Sequence, residues 1–177
     1  MIKKSKGYEI RAYPSHIVAQ TIVKGAHQQA MNLGFRIIAG YIFGGNTKKE
    51  SIAMTAPVKE EQLVSTKIAM TAPVTFNIEG NSRVVSFVMP KSYSLDTLPT
   101  PNDSRVKLVK VPPRKMAVLH FSWFRNSDRI DEMKKKLLLA LSRDKIEIIG
   151  NPSYAGYNAP WTPPWMIRNE IMIEIKM

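Results

Sequence analysis

The chain lacks cysteine, so disulfide bonds and thiolate chemistry are excluded. It also lacks any run approaching the roughly 20 apolar residues that a membrane-spanning helix needs. Residues 1–6 are basic, but no apolar segment of the kind found in a signal peptide follows them. These absences predict a cytoplasmic protein without a membrane span; a leader trimmed from the start is compatible with the sequence.

Catalytic motifs are absent as well. There is no His-Glu-x-x-His helix and no strand-turn-helix elbow carrying a nucleophilic serine. The adjacent carboxylates Glu60 and Glu61 fall in a charged segment that we expect to be a turn. We therefore assign no catalytic residue and expect a binding protein rather than an enzyme.

What is present fits one domain over residues 1–177, with enough apolar residues, 44%, to form an ordinary core. The net charge of +12 favours anionic partners. The tightest cationic run, 134–136, lies in an amphipathic segment and indicates a solvated helix face. No nucleic-acid-binding motif occurs, so no nucleic-acid partner is expected, and anionic lipid and acidic small molecules stay open as partners for this charge.

The first half alternates strands with one helix. Residues 8–13 and 16–23 are predicted strands separated by a Pro14 bend, and 83–89 is a further strand. Residues 26–43 are a predicted helix that is apolar on two sides, which indicates burial on one and either burial or a ligand on the other. The Gly-Gly-Asn sequence at 44–46 ends it.

The second half repeats this order. Residues 108–118 can be laid on 10–20, with a proline-marked bend in both, and a helix follows at 127–142 with Asn126 or Ser127 as its N-cap. Short strands at 146–149 and 154–157 precede a last strand at 168–175. Two such halves predict an α+β fold: a curved antiparallel sheet or open barrel with two flanking helices, its strands covered on one face.

One segment occurs twice: Ile-Ala-Met-Thr-Ala-Pro-Val fills residues 52–58 and again 68–74. The copies are expected to pair as a hairpin around a polar connection at 59–66, ending at a sheet edge or bend because Pro57 and Pro73 lack an amide donor. Met54 and Met70 then serve either as core packing or as a soft wall for a flat apolar ligand.

The chain resembles the SOUL/heme-binding protein (HEBP) family. The resemblance rests on Tyr8-Glu-Ile-Arg-x-Tyr13, on the segment from Phe35 to Asn46 that ends Tyr-Ile-Phe-Gly-Gly-Asn, on the doubled segment, and on the proline-rich stretch from Tyr157 to Ile171. These occur in family order. The resemblance implies a distorted antiparallel β-barrel with two flanking helices and a pseudo-twofold βαββ repeat.

The resemblance also implies heme as the cofactor, and a tetrapyrrole or other apolar anionic small molecule as the partner, held for carriage or sequestration in an apolar cleft. Animal members bind it with the outer face of the first helix and the proline-rich loop. Animal members place methionine where this chain has Phe35 and Ala39, and basic residues where it has Asn32 and Gly40. This chain therefore lacks both of those cations, and Arg36, one turn away, is a candidate substitute. The expected binding residues are Met31, Asn32, Phe35, Arg36, Ile38, Ala39, Trp161, Thr162 and Trp165.

Several alternatives stay open. Of the histidines, His27 is the best candidate for an axial iron ligand, ahead of His16 and His120, but binding without a protein ligand to iron is equally compatible with the sequence. The Arg168-Asn169-Glu170 sequence either forms a site or holds the loop by ion pairs. The ligand can be a different small effector, because bacterial regulators use a related architecture, or the protein can degrade or modify bound heme.

Overall fold

The structure is a computed structural model that describes residues 3–49, 51–53, 58–62, 82–123, 126–158 and 162–176. The two helices are α1, His27–Ile42, and α2, Ser127–Arg143, and a 3-10 turn spans Pro164–Met166. The strands are β1 Lys3–Ser5, β2 Tyr8–Tyr13, β3 His16–Lys24, β4 Val58–Gln62, β5 Ser82–Val88, β6 Lys107–Val111, β7 Arg114–Phe121, β8 Glu147–Ile148, β9 Ser153–Gly156 and β10 Asn169–Lys176.

The strands form one curled antiparallel sheet, an open half-barrel. Its order is β1-β2-β7-β10-β9-β4-β5-β3-β6, with β8 pairing to β10 outside this path. The order is nearly symmetric about the β9-β4 contact, because β7-β10-β9 on one side mirrors β3-β5-β4 on the other. The next strand on each side comes from the other half of the sequence: β2 pairs with β7, and β6 pairs with β3. The predicted α+β barrel with a pseudo-twofold repeat is confirmed.

Both helices pack on the same face of the sheet. Helix α2 buries Ile130, Met133, Leu137 and Leu141 against β7 and β10, as its spacing predicts. Its N-cap is Asn126, whose side-chain oxygen accepts a hydrogen bond from the Arg129 amide at 3.0 Å. Within the described segments, neither helix is long and apolar enough to cross a membrane.

The opposite face is also partly covered, which the sequence pattern did not indicate. Met116, Val118, Ala155 and Met172 form a separate buried cluster there. Strand β10 is consequently buried at five successive residues from Asn169 to Ile173. The expectation of one covered face is wrong for these central strands, because the curl of the sheet brings side chains on its inner face together.

The first copy of the doubled segment leads into the middle of the sheet. Ile52 is buried, and Val58–Gln62 pairs with β5 on one side and β9 on the other. The predicted polar turn at 59–66 is therefore wrong for residues 59–62, since both edges of this strand already carry partners. The second copy, together with Met54 and Pro57 of the first, lies outside the described residues, so the predicted hairpin stays a prediction.

Gly34 sets how closely α1 approaches the sheet. A Cβ built on Gly34 would lie 2.6 Å from the Cβ of Val85, well inside van der Waals contact. The helix therefore turns its smallest residue toward β5, and Ile38, one turn later, is fully buried beside it. This choice of face determines which residues of α1 remain exposed.

Gly34→Ala should destabilise the fold by about 1–2 kcal/mol, because the helix must move outward to make room for the methyl group. Gly40→Ala is the matched control: apart from the helix's own backbone, no atom of the described residues lies within 4 Å of its Cβ position, and alanine should stabilise the helix by about 0.5–1 kcal/mol. Urea denaturation measures both. Equal effects of the two substitutions would contradict the proposed helix-to-sheet contact.

Candidate functional site

The exposed face of α1 carries most of the predicted binding residues on that helix. Asn32, Phe35 and Arg36 are exposed, and Met31 and Ala39 are half-buried. Ile38 is the exception: it is 0% exposed and belongs to the core beneath the helix. Its assignment to the binding face is therefore corrected, because the helix turns Gly34 and Ile38 toward the sheet and leaves Phe35 outward.

Phe35 lies at one margin of this face. Its ring is 38% exposed and packs at a tilt on the buried ring of Phe87, with 5.4 Å between centroids. One edge of the ring is thus fixed by the core while the other faces solvent. Leu33 marks the opposite margin and is similarly exposed. The face between these margins is mixed: Asn32 and Arg36 lie near its centre line, and the exposed apolar side chains lie at its margins.

A groove of about 410 Å³ runs along the Leu33 margin. Its floor is largely apolar, and guanidinium groups stand on both walls. Arg105 is paired with Asp103 at 2.7 Å, whereas no hydrogen bond or ion pair within the described part of the chain engages Arg36. The lining residues are Leu33, Arg36, Ile37, Gly40, Tyr41, Gly45, Asn102, Asp103 and Arg105.

The end of α1 builds the second wall of this groove. The Tyr41 hydroxyl donates to the carbonyl oxygen of Pro99 at 2.9 Å, and the Asn46 amide nitrogen donates to the Tyr41 carbonyl at 3.1 Å. The backbone amide of Asn102 donates to Gly45 at 3.0 Å. A Cβ on Gly45 would lie 2.5 Å from the Gly40 carbonyl oxygen, so a glycine is required there.

His27 begins α1 on the buried side. Its ring is 6% exposed, and its Nδ1 contacts Oε2 of Glu60, whose Oε1 accepts a hydrogen bond from Arg83 at 2.6 Å. The ring lies edge-on to Tyr154 with 5.5 Å between centroids. This arrangement disfavours His27 as an axial ligand, because the ring is held against Glu60 beneath the helix and away from its exposed face.

The other two histidines, His16 and His120, also lie outside any group of side chains that could hold a metal ion in the described ranges. The Nδ1–H of His16 donates to the Pro14 carbonyl at 2.9 Å, and burial lowers the pKa of its ring. His120 is exposed on β7. Over the described ranges, no three His, Cys, Asp or Glu side chains lie close enough to hold a metal ion.

The proline-rich loop presents an exposed aromatic surface. Trp165 is 64% exposed in the 3-10 turn. Met166 and Trp123 are also exposed, and Thr162 is half-buried. The backbone amide of Trp123 donates to the Pro164 carbonyl at 3.0 Å, which joins the loop to the end of β7. Trp161, predicted as a contact, lies outside the described residues.

A chain of contacts joins this loop to the start of α1. Asn169 is fully buried; its side-chain amide donates to the Trp123 carbonyl at 3.1 Å, and its oxygen accepts from the Tyr154 hydroxyl at 2.7 Å. Tyr154 in turn contacts the His27 ring. The loop and the start of α1 are thus joined by one connected network.

Glu170 anchors the loop from inside the sheet. Its carboxylate accepts hydrogen bonds from Arg11 at 2.9 Å, Arg168 at 2.7 Å and the Tyr157 hydroxyl at 2.6 Å. Burial alone would raise the pKa of Glu170, but these hydrogen bonds outweigh it and lower the pKa. The Arg168-Asn169-Glu170 sequence therefore holds the loop by ion pairs and hydrogen bonds.

Comparison with known protein families shows the family of this chain. A model of the SOUL heme-binding protein family matches residues 1–174. The chain belongs to the SOUL heme-binding protein family. No curated protein matches it significantly in sequence.

Solved structures resemble this SOUL-family chain in fold. The C-terminal domain of EcmrR has a TM-score of 0.69 and 10% identity, with 96% of this chain and 98% of that chain covered. EcmrR in a cryo-EM complex with DNA has a TM-score of 0.68 and 11% identity over 97% of this chain and 59% of that chain. An uncharacterised conserved protein from Listeria innocua has a TM-score of 0.62 and 9% identity, with 97% and 93% covered. At these identities the likeness shows the fold alone.

Sequence reasoning on this SOUL-family chain missed the groove wall and the buried charges. Arg105 and Asp103 lie between the predicted strands at 83–89 and 108–118, in a stretch that received no functional assignment, and Glu60 was assigned to a turn. The internal repeat is the signal that could have found Arg105. The alignment that lays Leu108 on Ile10 also lays Arg105 on Gly7, and these two residues lie in the turns before the equivalent strands β6 and β2. No local signal connects Glu60 with His27 and Arg83.

Glu170→Gln should destabilise the protein by about 3 kcal/mol at pH 7, because Arg11 and Arg168 lose their buried anionic partner. The folded pKa of Glu170 is below its unfolded value, so its contribution is complete above pH ~4.3 and is lost as the pH falls further. The difference between wild type and variant in urea denaturation should therefore shrink below about pH 4.

Glu174→Gln on the same strand is the control, because Glu174 is partly exposed and its nearest cation, Arg114, lies 3.7 Å away. It should cost less than about 1 kcal/mol. A Glu170→Gln effect that is equally small, or that does not change with pH, would contradict the anchoring role.

Proposed function

We propose that this protein binds heme or a related tetrapyrrole on the exposed face of α1, for carriage or sequestration. The observation that carries the proposal is the groove of about 410 Å³ beside Arg36, where an apolar floor adjoins a guanidinium that no other described residue engages. Membership in a family described by heme binding supports the ligand class.

A tetrapyrrole is a flat apolar ring with carboxylates at its rim, and the exposed residues of α1 match both parts. Leu33 and Ile37 supply apolar surface inside the groove, and Phe35 and Ala39 extend it on the other side of Arg36. Arg36 and Arg105 supply cations for carboxylates. The groove volume lies within the roughly 300–1,000 Å³ of small-molecule sites. Asn32, at the helix surface, adds a polar contact.

The proline-rich loop supplies a second apolar surface in this proposal. Trp165 is 64% exposed, and aromatic rings of this kind stack well on flat ligands. Thr162 and Trp161 belong to the same loop and complete the proposed contact set. The network through Asn169 and Tyr154 fixes the loop relative to α1, so both surfaces are held before a ligand arrives.

Iron takes no ligand from His27 in this proposal, since the ring is buried and engaged by Glu60. Heme would bring redox-active iron, but the described residues are assigned only binding and orientation. Apolar contact with the ring and ion pairs with its carboxylates supply the affinity. A protein that contributes no axial ligand suits carriage and release better than oxygen chemistry.

A different apolar acid is the second candidate ligand. The observation that favours it is the number of cations: Arg36 is unengaged by described residues, whereas Arg105 already pairs with Asp103. A monocarboxylate would satisfy Arg36 without disturbing that pair. A competition titration between hemin and a long-chain monocarboxylate distinguishes the two candidate ligands by which one binds more tightly.

Phe35→Asp should remove one equivalent of saturable hemin binding, because the new carboxylate repels the ligand's carboxylates and removes the apolar ring at that margin of the face. A Soret titration of purified protein measures the endpoint. Arg36→Glu should have the same effect through loss of the unengaged cation.

Leu138→Asp is the matched control, since Leu138 on α2 is 37% exposed and Phe35 is 38% exposed. It introduces the same charge at the same exposure and should leave the endpoint unchanged. An endpoint unaltered in both Phe35→Asp and Arg36→Glu would refute the placement on α1, and no saturable shift in wild type would refute tetrapyrrole binding.

A further inference from the structure

A second groove lies against the other helix. Its volume is about 490 Å³, and its lining residues are Lys6, Gly7, Lys136, Leu139, Ala140 and Arg143. It runs between the outer flank of α2 and the turn that precedes β2. The groove on α1 has the same construction, with α1 on one side and the turn before β6 on the other.

The two grooves are related by the internal repeat. The sheet order exchanges β2 with β6, β3 with β7 and α1 with α2. The alignment that lays Leu108 on Ile10 lays Arg105, on the wall of the first groove, on Gly7, on the wall of the second. The groove on α2 is therefore a copy of the groove on α1 and not an unrelated depression.

The side chains of the second groove suit an apolar anion. Leu139 is 72% exposed on the outermost line of α2, and Ala140 adds apolar floor. Lys6, Lys136 and Arg143 surround this floor, and Arg143 pairs with Asp144 at 2.8 Å. Within the described structure, no ion pair engages the ammonium groups of Lys6 or Lys136.

Charge distinguishes the two copies. The first groove contains one cation without a described partner, Arg36, and the second contains two, Lys6 and Lys136. Leu139 supplies apolar surface between cations, and such an arrangement orients a carboxylate-bearing apolar ligand. Two ammonium groups on opposite walls match two carboxylates better than one guanidinium does.

We propose that the α2 groove is a second binding site for an apolar dicarboxylate, so that the chain takes up two equivalents of a tetrapyrrole. The ligand class rests on the proposed function of the α1 groove, but the second site rests on its own residues. Leu139 contacts the apolar ring, and Lys6 and Lys136 pair with the carboxylates.

The test is the hemin stoichiometry of wild type and of the variant Lys136→Glu/Leu139→Asp. Both residues are exposed, so the variant should fold; circular dichroism checks this, and the milder Lys136→Ala should weaken the second site without changing the fold. Lys135→Glu is the control, because Lys135 is exposed on the same helix but does not line the groove.

Wild type and Lys135→Glu should each bind two equivalents, and the α2 variant one. An α2 variant with the same endpoint as wild type overturns the proposal. The α1 variant Arg36→Glu separates the two hypotheses. If Arg36→Glu changes nothing while the α2 variant abolishes binding, the α1 site fails and the α2 site stands; the reverse result removes only the α2 site.

Discussion

The buried carboxylate of Glu60 is the interaction on which the arrangement of helix and sheet depends. It lies on β4, the strand that joins the two halves, where it contacts His27 of α1 and forms an ion pair with Arg83 of β5. Removing Arg83 would leave a buried carboxylate without its cation, at a cost of several kcal/mol. The start of α1 is therefore tied to the centre of the sheet.

That tie has consequences for both ends of the site. Gly34 lies against Val85 two turns after His27, which leaves Phe35 and Arg36 outward. On the other side, Tyr154 contacts His27 and donates to Asn169, which holds the proline-rich loop through Trp123. One buried cluster thus positions an exposed helix face and an exposed aromatic loop, while Glu170 holds the same loop from the inner face of the sheet.

The sequence pattern predicted the elements whose burial follows a simple period. The apolar spacing of α2 matches its buried face residue for residue, and the repeat of residues 10–20 at 108–118 correctly predicted β6 and β7. Strand β4 was missed because Val-Lys-Glu-Glu-Gln has the composition of a turn. The groups that make it a strand, His27 and Arg83, are distant in sequence and become neighbours only in the folded chain.

The exposure of the proposed binding residues was predicted correctly only where helical spacing determines it. The outward position of Phe35 and Arg36 follows from helical spacing, but Ile38 was placed with them because periodicity alone does not show that Gly34 faces the sheet. The groove walls come from turns far along the chain, at 102–105 and 6–7, and only the internal repeat relates them. A pair of equivalent basic grooves is therefore visible in three dimensions and hidden in the linear sequence.

The most direct test of the central claim is to map binding without iron. Metal-free protoporphyrin IX, titrated into isotopically labelled protein, should shift backbone amide signals of α1 around residues 32–40 and of the turn at 102–105. Shifts confined to the inner face of the sheet, around Met116, Val118 and Met172, would contradict a ligand site on the outside of the helix.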